Sequence, residues 1–146
     1  MIAVLVTFAR HAGVDVENVS ATRDLQAIAA RVLSDRELKS MRVFAADDWT
    51  LRFFELWTLK EAYSKARGLG MSLPFTSVTF ELTPGNRPRA TFDPDVDDQP
   101  ELWQFWMNRA SPRHVLSAAI QTEAGREFEV VLRRVRVGAA LESLNS

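Results

Sequence analysis

The chain opens on the apolar run Ile2–Phe8, rich in β-branched residues, which predicts a strand. Gly13–Asn18 alternates apolar and polar positions and predicts a second strand, joined to the first through Ala9–Ala12 as an early hairpin. The period then lengthens. Thr22 is placed to cap a helix over Arg23–Val32, and Ser34 with Glu37 has capping-box spacing for a short helix reaching about Arg42. Asp47 and Asp48 put negative charge ahead of a long helical segment, Trp49 to Arg67, where a helix N-terminus favours it. Gly68-Leu69-Gly70 ends that helix by supplying left-handed cap geometry, and Pro74 keeps it from resuming.

The second half reads as strands. Val78–Leu82 alternates, Pro84-Gly85-Asn86 turns, and Ala90–Phe92 returns antiparallel. After the acidic loop Asp93–Pro100, three more strands are predicted at Leu102–Asn108, His114–Gln121 and Phe128–Val137, the last two joined at Glu123-Ala124-Gly125-Arg126. The class is α+β, an antiparallel β-sheet packed against a helical insertion. A single domain over residues 1–146 is expected, with Gly138–Ser146 as a tail.

Composition narrows the functions available. The 146 residues are 47% apolar and 25% charged, as an ordinary folded domain is. A net charge of −1 provides no global field for nucleic acid or an anionic membrane, so any anion site must be local. The absence of cysteine excludes disulfides, thiolate metal sites and a cysteine nucleophile, and fits a reducing compartment. No apolar run is long enough for a membrane span and no signal peptide opens the chain, so a cytoplasmic location is expected.

Two constellations carry candidate chemistry. On a strand, Val14 and Val16 face one way while Asp15 and Glu17 share the other face, where two close carboxylates need a cation, a proton or water. The same alternation is also what an ordinary half-solvated strand shows. On the long helix, Leu56, Leu59, Tyr63 and Ala66 form an apolar stripe, and Phe54 and Trp57 lead onto a line through Glu61 to Lys65. Glu61 is therefore expected to be partly buried and paired with Lys65 at i,i+4, a pairing that is common without any function. Read functionally, Asp15, Glu17 and Glu61 are three hard oxygen donors suited to Mg²⁺, with Lys60 and Lys65 beside them to hold phosphates. A metal with lysines is what phosphoryl transfer uses.

These residues resemble a known family. Gly13-Val14-Asp15-Val16-Glu17 is similar to the first signature of Sfp-type 4′-phosphopantetheinyl transferases. Trp57-Thr58-Leu59-Lys60-Glu61-Ala62-Tyr63-Ser64-Lys65 is similar to the second, and both order and spacing agree. The resemblance is good over Ile2–Leu82 and looser beyond. It implies Asp15, Glu17 and Glu61 as magnesium ligands, with Lys60 and Lys65 near the coenzyme A pyrophosphate. Glu61 and Lys65 are the implied catalytic residues, Glu61 as the aid to deprotonating the acceptor. The implied reaction is attack by a serine of an acyl or peptidyl carrier protein on the β-phosphate of coenzyme A.

Sfp-type enzymes resemble two similar half-folds in one chain, and this chain is similar to the C-terminal half. Only twelve residues precede the Gly-Val-Asp strand, so the chain is expected to begin just downstream of the family's Ser-His segment. His11, in the turn before the motif, and His114, opening a strand, do not replace that segment. The short holo-ACP-synthase relatives build their sites between identical subunits, which makes a homo-oligomer an expectation here. The alternative is a catalytically incomplete half acting as a non-catalytic metal-binding or carrier-binding module. An unrelated Mg²⁺ enzyme finds no Walker or Rossmann loop, since Gly68-Leu69-Gly70 follows a helix. Trp49, Trp103 and Trp106 read as core or interface, and Arg133, Arg134 and Arg136 as a solvated strand end.

Overall fold

The computed structural model describes residues 1–9, 11–20, 24–85, 87–123 and 126–135. The elements are β1 (Ala12–Asn18), α1 (Leu25–Val32), α2 (Asp35–Met41), α3 (Ala46–Arg67), β2 (Val78–Glu81), β3 (Arg89–Phe92), β4 (Trp103–Ser111) and β5 (His114–Gln121). β1, β5 and β4 form a three-stranded antiparallel sheet in that order, and β2 with β3 forms a separate hairpin. The predicted α+β class and the helical insertion between strands are both present.

Local sequence explains most boundaries. The described cap of α1 is Asp24, whose side chain accepts from the Ala27 N–H at 3.3 Å; Thr22 and Arg23, expected at this helix start, lie outside the described residues. Ser34 and Glu37 form the reciprocal capping box that their spacing predicts. α3 starts three residues earlier than its apolar pattern; Ala45 gives no side-chain cap, and Asp47 and Asp48 in the first turn complement the helix dipole. Gly68 ends it at φ 67°, which glycine adopts without penalty. Among the described residues no helix is long and apolar enough to cross a membrane.

α3 is buried on nearly every side rather than along one stripe. Phe53, Phe54, Leu56, Leu59, Ala62, Tyr63 and Ala66 all enter the core, together with Glu55 and Lys60. The helix is central: it crosses the inner face of the β1–β5–β4 sheet on one side and meets the hairpin and α1 on others. Lys60 explains how a charge survives there. Its ammonium bonds the carbonyls of Phe75, at 2.7 Å, and Val78, and pairs with Glu37 Oε2 at 2.9 Å. Glu37 Oε1 in turn accepts from the Phe80 N–H at 2.8 Å. The buried pair thus bonds the edge of β2 that no strand covers among the described residues.

Two predicted strands form no strand among the described residues. Ile2–Phe8 does not pair with β1, whose ladder runs to β5 from Ala12↔Ile120 to Asn18↔His114. The segment instead crosses the outer sheet face, where Met1–Leu5 and Val130–Val135 enclose a cavity of about 410 Å³ with Val14, Trp106, Ala110, Leu116 and Ala118. The described part of the predicted Phe128–Val137 strand is likewise outside any ladder. It is held by a side chain, the Gln104 amide giving 2.8 Å to the Phe128 carbonyl and accepting 2.6 Å from its N–H. Asn86, Ala124, Gly125, Arg136, Val137 and the tail Gly138–Ser146 lie outside the described residues.

Candidate active site

The site forms where β1 crosses α3, and glycine permits the crossing. A Cβ on Gly13 would lie 2.2 Å from the Ala62 carbonyl oxygen and 2.5 Å from the Ala66 nitrogen. Because side chains alternate along a strand, Asp15 and Glu17 follow Gly13 onto this same face. They face the helix rather than solvent. Underneath, Thr58 Oγ1 and Ser117 Oγ meet at 2.8 Å, and Ser117 is the register partner of Asp15. This bond fixes the height of α3 over the sheet.

Asp15 is 8% exposed. Its Oδ1 accepts from Lys65 Nζ at 2.6 Å, while its buried Oδ2 has no hydrogen-bond partner among the described residues. Glu17 Oε1 accepts from the Trp57 indole N–H at 3.1 Å. Glu61 completes the group electrostatically. Burial first, then the negative charges of Asp15 and Glu17, raise its carboxyl above the ordinary range, and Lys65 opposes them. Lys65 itself has a half-exposed side chain, so its head reaches both Asp15 and open solvent.

Asp15, Glu17, Glu61 and Lys65 therefore come together from two elements. Lys60 does not join them. It sits on the opposite side of α3 with three partners for its three N–H donors, so no donor is left for a phosphate. Burial lowers its pKa, the Glu37 charge notwithstanding. The resemblance implies Lys60 near the coenzyme A pyrophosphate, whereas in this structure its ammonium is held by Glu37 and two carbonyls, apart from Asp15, Glu17 and Lys65. His11 is exposed and its carbonyl accepts from the Gln121 N–H at 2.8 Å; His114 Nδ1 meets Ser111 Oγ at 2.8 Å. Trp49 stacks on Phe53, Trp103 is buried, Trp106 lines the outer-face cavity, and Arg134 bonds the Ala110 carbonyl.

Sequence reading quoted Gly13 and Trp57 within motifs without seeing what they do. It missed Asp98 altogether. Asp98 Oδ2 gathers the Tyr63 hydroxyl (2.6 Å), the Trp103 indole (2.7 Å) and Arg67, and so pins the acidic loop to the end of α3. No pattern in the loop distinguishes Asp98 from Asp93, Asp95 or Asp97.

The Asp15 oxygen without a partner among the described residues and the negative charge gathered around Glu61 fit a hard divalent cation, which Mg²⁺-type sites hold with a few carboxylates plus water and phosphate. Among the described residues, however, no three acidic or imidazole groups are already gathered as a metal cage. Acidic and lysine side chains thus converge at a strand–helix crossing of an α+β fold. Comparison with known proteins is specific: residues 11–120 match the 4′-phosphopantetheinyl transferase superfamily, and the chain belongs to that family.

Among curated relatives, the 4′-phosphopantetheinyl transferase HetI of a Nostoc species is 35% identical over 79 residues, 54% of this chain and 33% of that protein. The Bacillus subtilis 4′-phosphopantetheinyl transferase is 32% identical over 101 residues, 62% of this chain and 44% of the relative. The chain thus spans a third to less than half the length of these relatives. The fold is shared with a Bacillus anthracis holo-(acyl-carrier-protein) synthase solved with coenzyme A (TM-score 0.64, 16% identity, 79% of this chain and 98% of that one). It is also shared with the Thermotoga maritima synthase (TM-score 0.61, 19% identity, 80% and 65%).

Proposed function

We propose that this chain transfers 4′-phosphopantetheine from coenzyme A to a serine of an acyl or peptidyl carrier protein, in a Mg²⁺-dependent reaction. The observation that carries the reading is the convergence of Asp15 and Glu17 from β1 with Glu61 and Lys65 from α3, where one buried Asp15 oxygen has no partner among the described residues. Asp15, Glu17 and Glu61 would hold the metal, which when bound supplies charge neutralisation on the diphosphate.

Lys65 exchanges its Asp15 partner for a phosphate oxygen of coenzyme A, a move its half-exposed side chain allows. The serine hydroxyl oxygen bonds the β-phosphorus as the bond from that phosphorus to the bridging oxygen breaks. The electron pair of the broken bond leaves on 3′,5′-ADP. Glu61 is the group the resemblance implies for taking the hydroxyl proton, directly or through a water. This reaction class relies on positioning and charge more than on covalent help.

The resemblance to the C-terminal half of two-half enzymes also supports self-association. Ile2 (91% exposed), Val4, Val6 and Phe8 point outward from the sheet's outer face, with Val131 and Val135 nearby. A second copy covering this face would bury them. The fold match spans 98% of the Bacillus anthracis synthase chain, so a half-fold makes up nearly the whole of that enzyme's chain. Light scattering with and without coenzyme A tests this part, and a monomer under both conditions contradicts it. Glu61→Gln tests the chemistry: carrier modification is lost while circular dichroism stays at the wild-type signal. Unchanged modification by that variant would overturn the assignment of Glu61, and no activity in the wild type would leave the non-catalytic module.

A further inference from the structure

Trp57 and Glu17 lie forty residues apart in sequence, yet the indole N–H meets the carboxylate at 3.1 Å. An indole N–H only donates and carries no charge. It therefore engages one carboxylate oxygen, Oε1, and adds no charge of its own there. The ring itself has two near-parallel aromatic neighbours. Phe53 stacks at 6.1 Å and 14°, and Phe75 at 6.0 Å and 20°. Phe53 continues the stack to Trp49 at 5.8 Å and 7°.

Phe75 is anchored in turn. Phe75 is buried, and its carbonyl accepts from the Lys60 ammonium at 2.7 Å. Order thus passes from the buried Glu37–Lys60 pair to Phe75, from Phe75 to the indole, and from the indole to Glu17. We propose that Trp57 is a positioning residue for the site, its N–H orienting the Glu17 carboxylate for the metal. The proposal rests on Asp15, Glu17 and Glu61 being the metal ligands. Groups that orient metal ligands in this way typically contribute about tenfold to a hundredfold in affinity.

Trp57→Phe keeps the stacked ring and deletes the donor. Mn²⁺ titrated into the full chain in the presence of coenzyme A, followed by electron paramagnetic resonance, is expected to bind this variant about tenfold to a hundredfold more weakly than wild type. Val32→Ala, a core deletion on α1 away from the site, serves as the comparison and is expected to lose stability with Mn²⁺ affinity unchanged. The Trp57 indole resonance should shift in Glu17→Gln and on adding Mg²⁺ to the wild type. Equal Mn²⁺ affinity in folded Trp57→Phe, with wild type binding, overturns the positioning role alone. Absence of Mn²⁺ uptake by wild type removes the metal reading and this proposal with it. Should Trp57→Phe fail to fold, an indole resonance unmoved by either perturbation of the wild-type contact overturns the role.

Discussion

Gly13→Ala is the smallest change that tests how the site is assembled. The added Cβ would stand 2.2 Å from the Ala62 carbonyl oxygen, 2.5 Å from the Ala66 nitrogen and 3.1 Å from the Ala66 Cα. All three atoms are backbone of one helix, so no side chain can rotate aside. Reaching ordinary contact requires β1 and α3 to separate by about 1 Å, an overpacking that costs about 1–3 kcal/mol. The separation acts on the site directly, because Asp15 and Glu17 ride on β1 while Glu61 and Lys65 ride on α3. A displacement of about 1 Å between reacting groups lowers rates by about a hundredfold. Urea denaturation should show a lower midpoint with unchanged slope, and carrier-protein modification followed by mass spectrometry should slow by about that factor. A variant with wild-type stability and wild-type rate would refute the close-crossing argument.

The other predictions concern what fixes the surroundings. Lys60→Met leaves the Glu37 carboxylate buried without its counter-ion and is expected to destabilise the fold by about 3–5 kcal/mol; an unchanged urea midpoint would contradict the structural role given to Lys60. Coenzyme A affinity of any folded Lys60→Met fraction, measured by calorimetry, should match wild type, and a large loss would restore Lys60 as a phosphate ligand. Asp98 carries a pH signature. Burial works to raise its carboxyl, but the Tyr63 hydroxyl, the Gln99 N–H, Arg67 and Trp103 outweigh it and hold the carboxyl below the usual range. Its stabilisation is therefore full above the ordinary aspartate value of about 4 and fades as pH falls through the lower folded value. Asp98→Asn should lower the thermal midpoint at pH 7, with the difference from wild type shrinking below about pH 4; a difference independent of pH would contradict this.

The helices were legible because their signals are local. Ser34 and Glu37 declare a capping box, Gly68 a left-handed cap, and the structure contains both. The β2–β3 hairpin and β5 were legible for the same reason, as short alternating runs bounded by turn residues. Alternation also put Asp15 and Glu17 on one face, but only the long-range packing of α3 shows that this face is buried against Glu61 and Lys65. Lys60 marks the limit most clearly. Its sequence neighbourhood reads as a basic flank for phosphate, and nothing local reports that Glu37 and two carbonyls from after the helix occupy its head. Ile2–Phe8 fails for a related reason: apolar β-branched residues fit a strand, and they equally fit a segment laid across an apolar sheet face.

The central claim is carrier-protein modification by this chain, and intact mass measures it most directly. An apo acyl carrier protein incubated with the chain, coenzyme A and Mg²⁺ should gain the mass of one phosphopantetheine, and the gain should vanish with EDTA and in Glu61→Gln. A carrier of unchanged mass, while an intact transferase modifies the same preparation and the chain remains folded, would contradict the account.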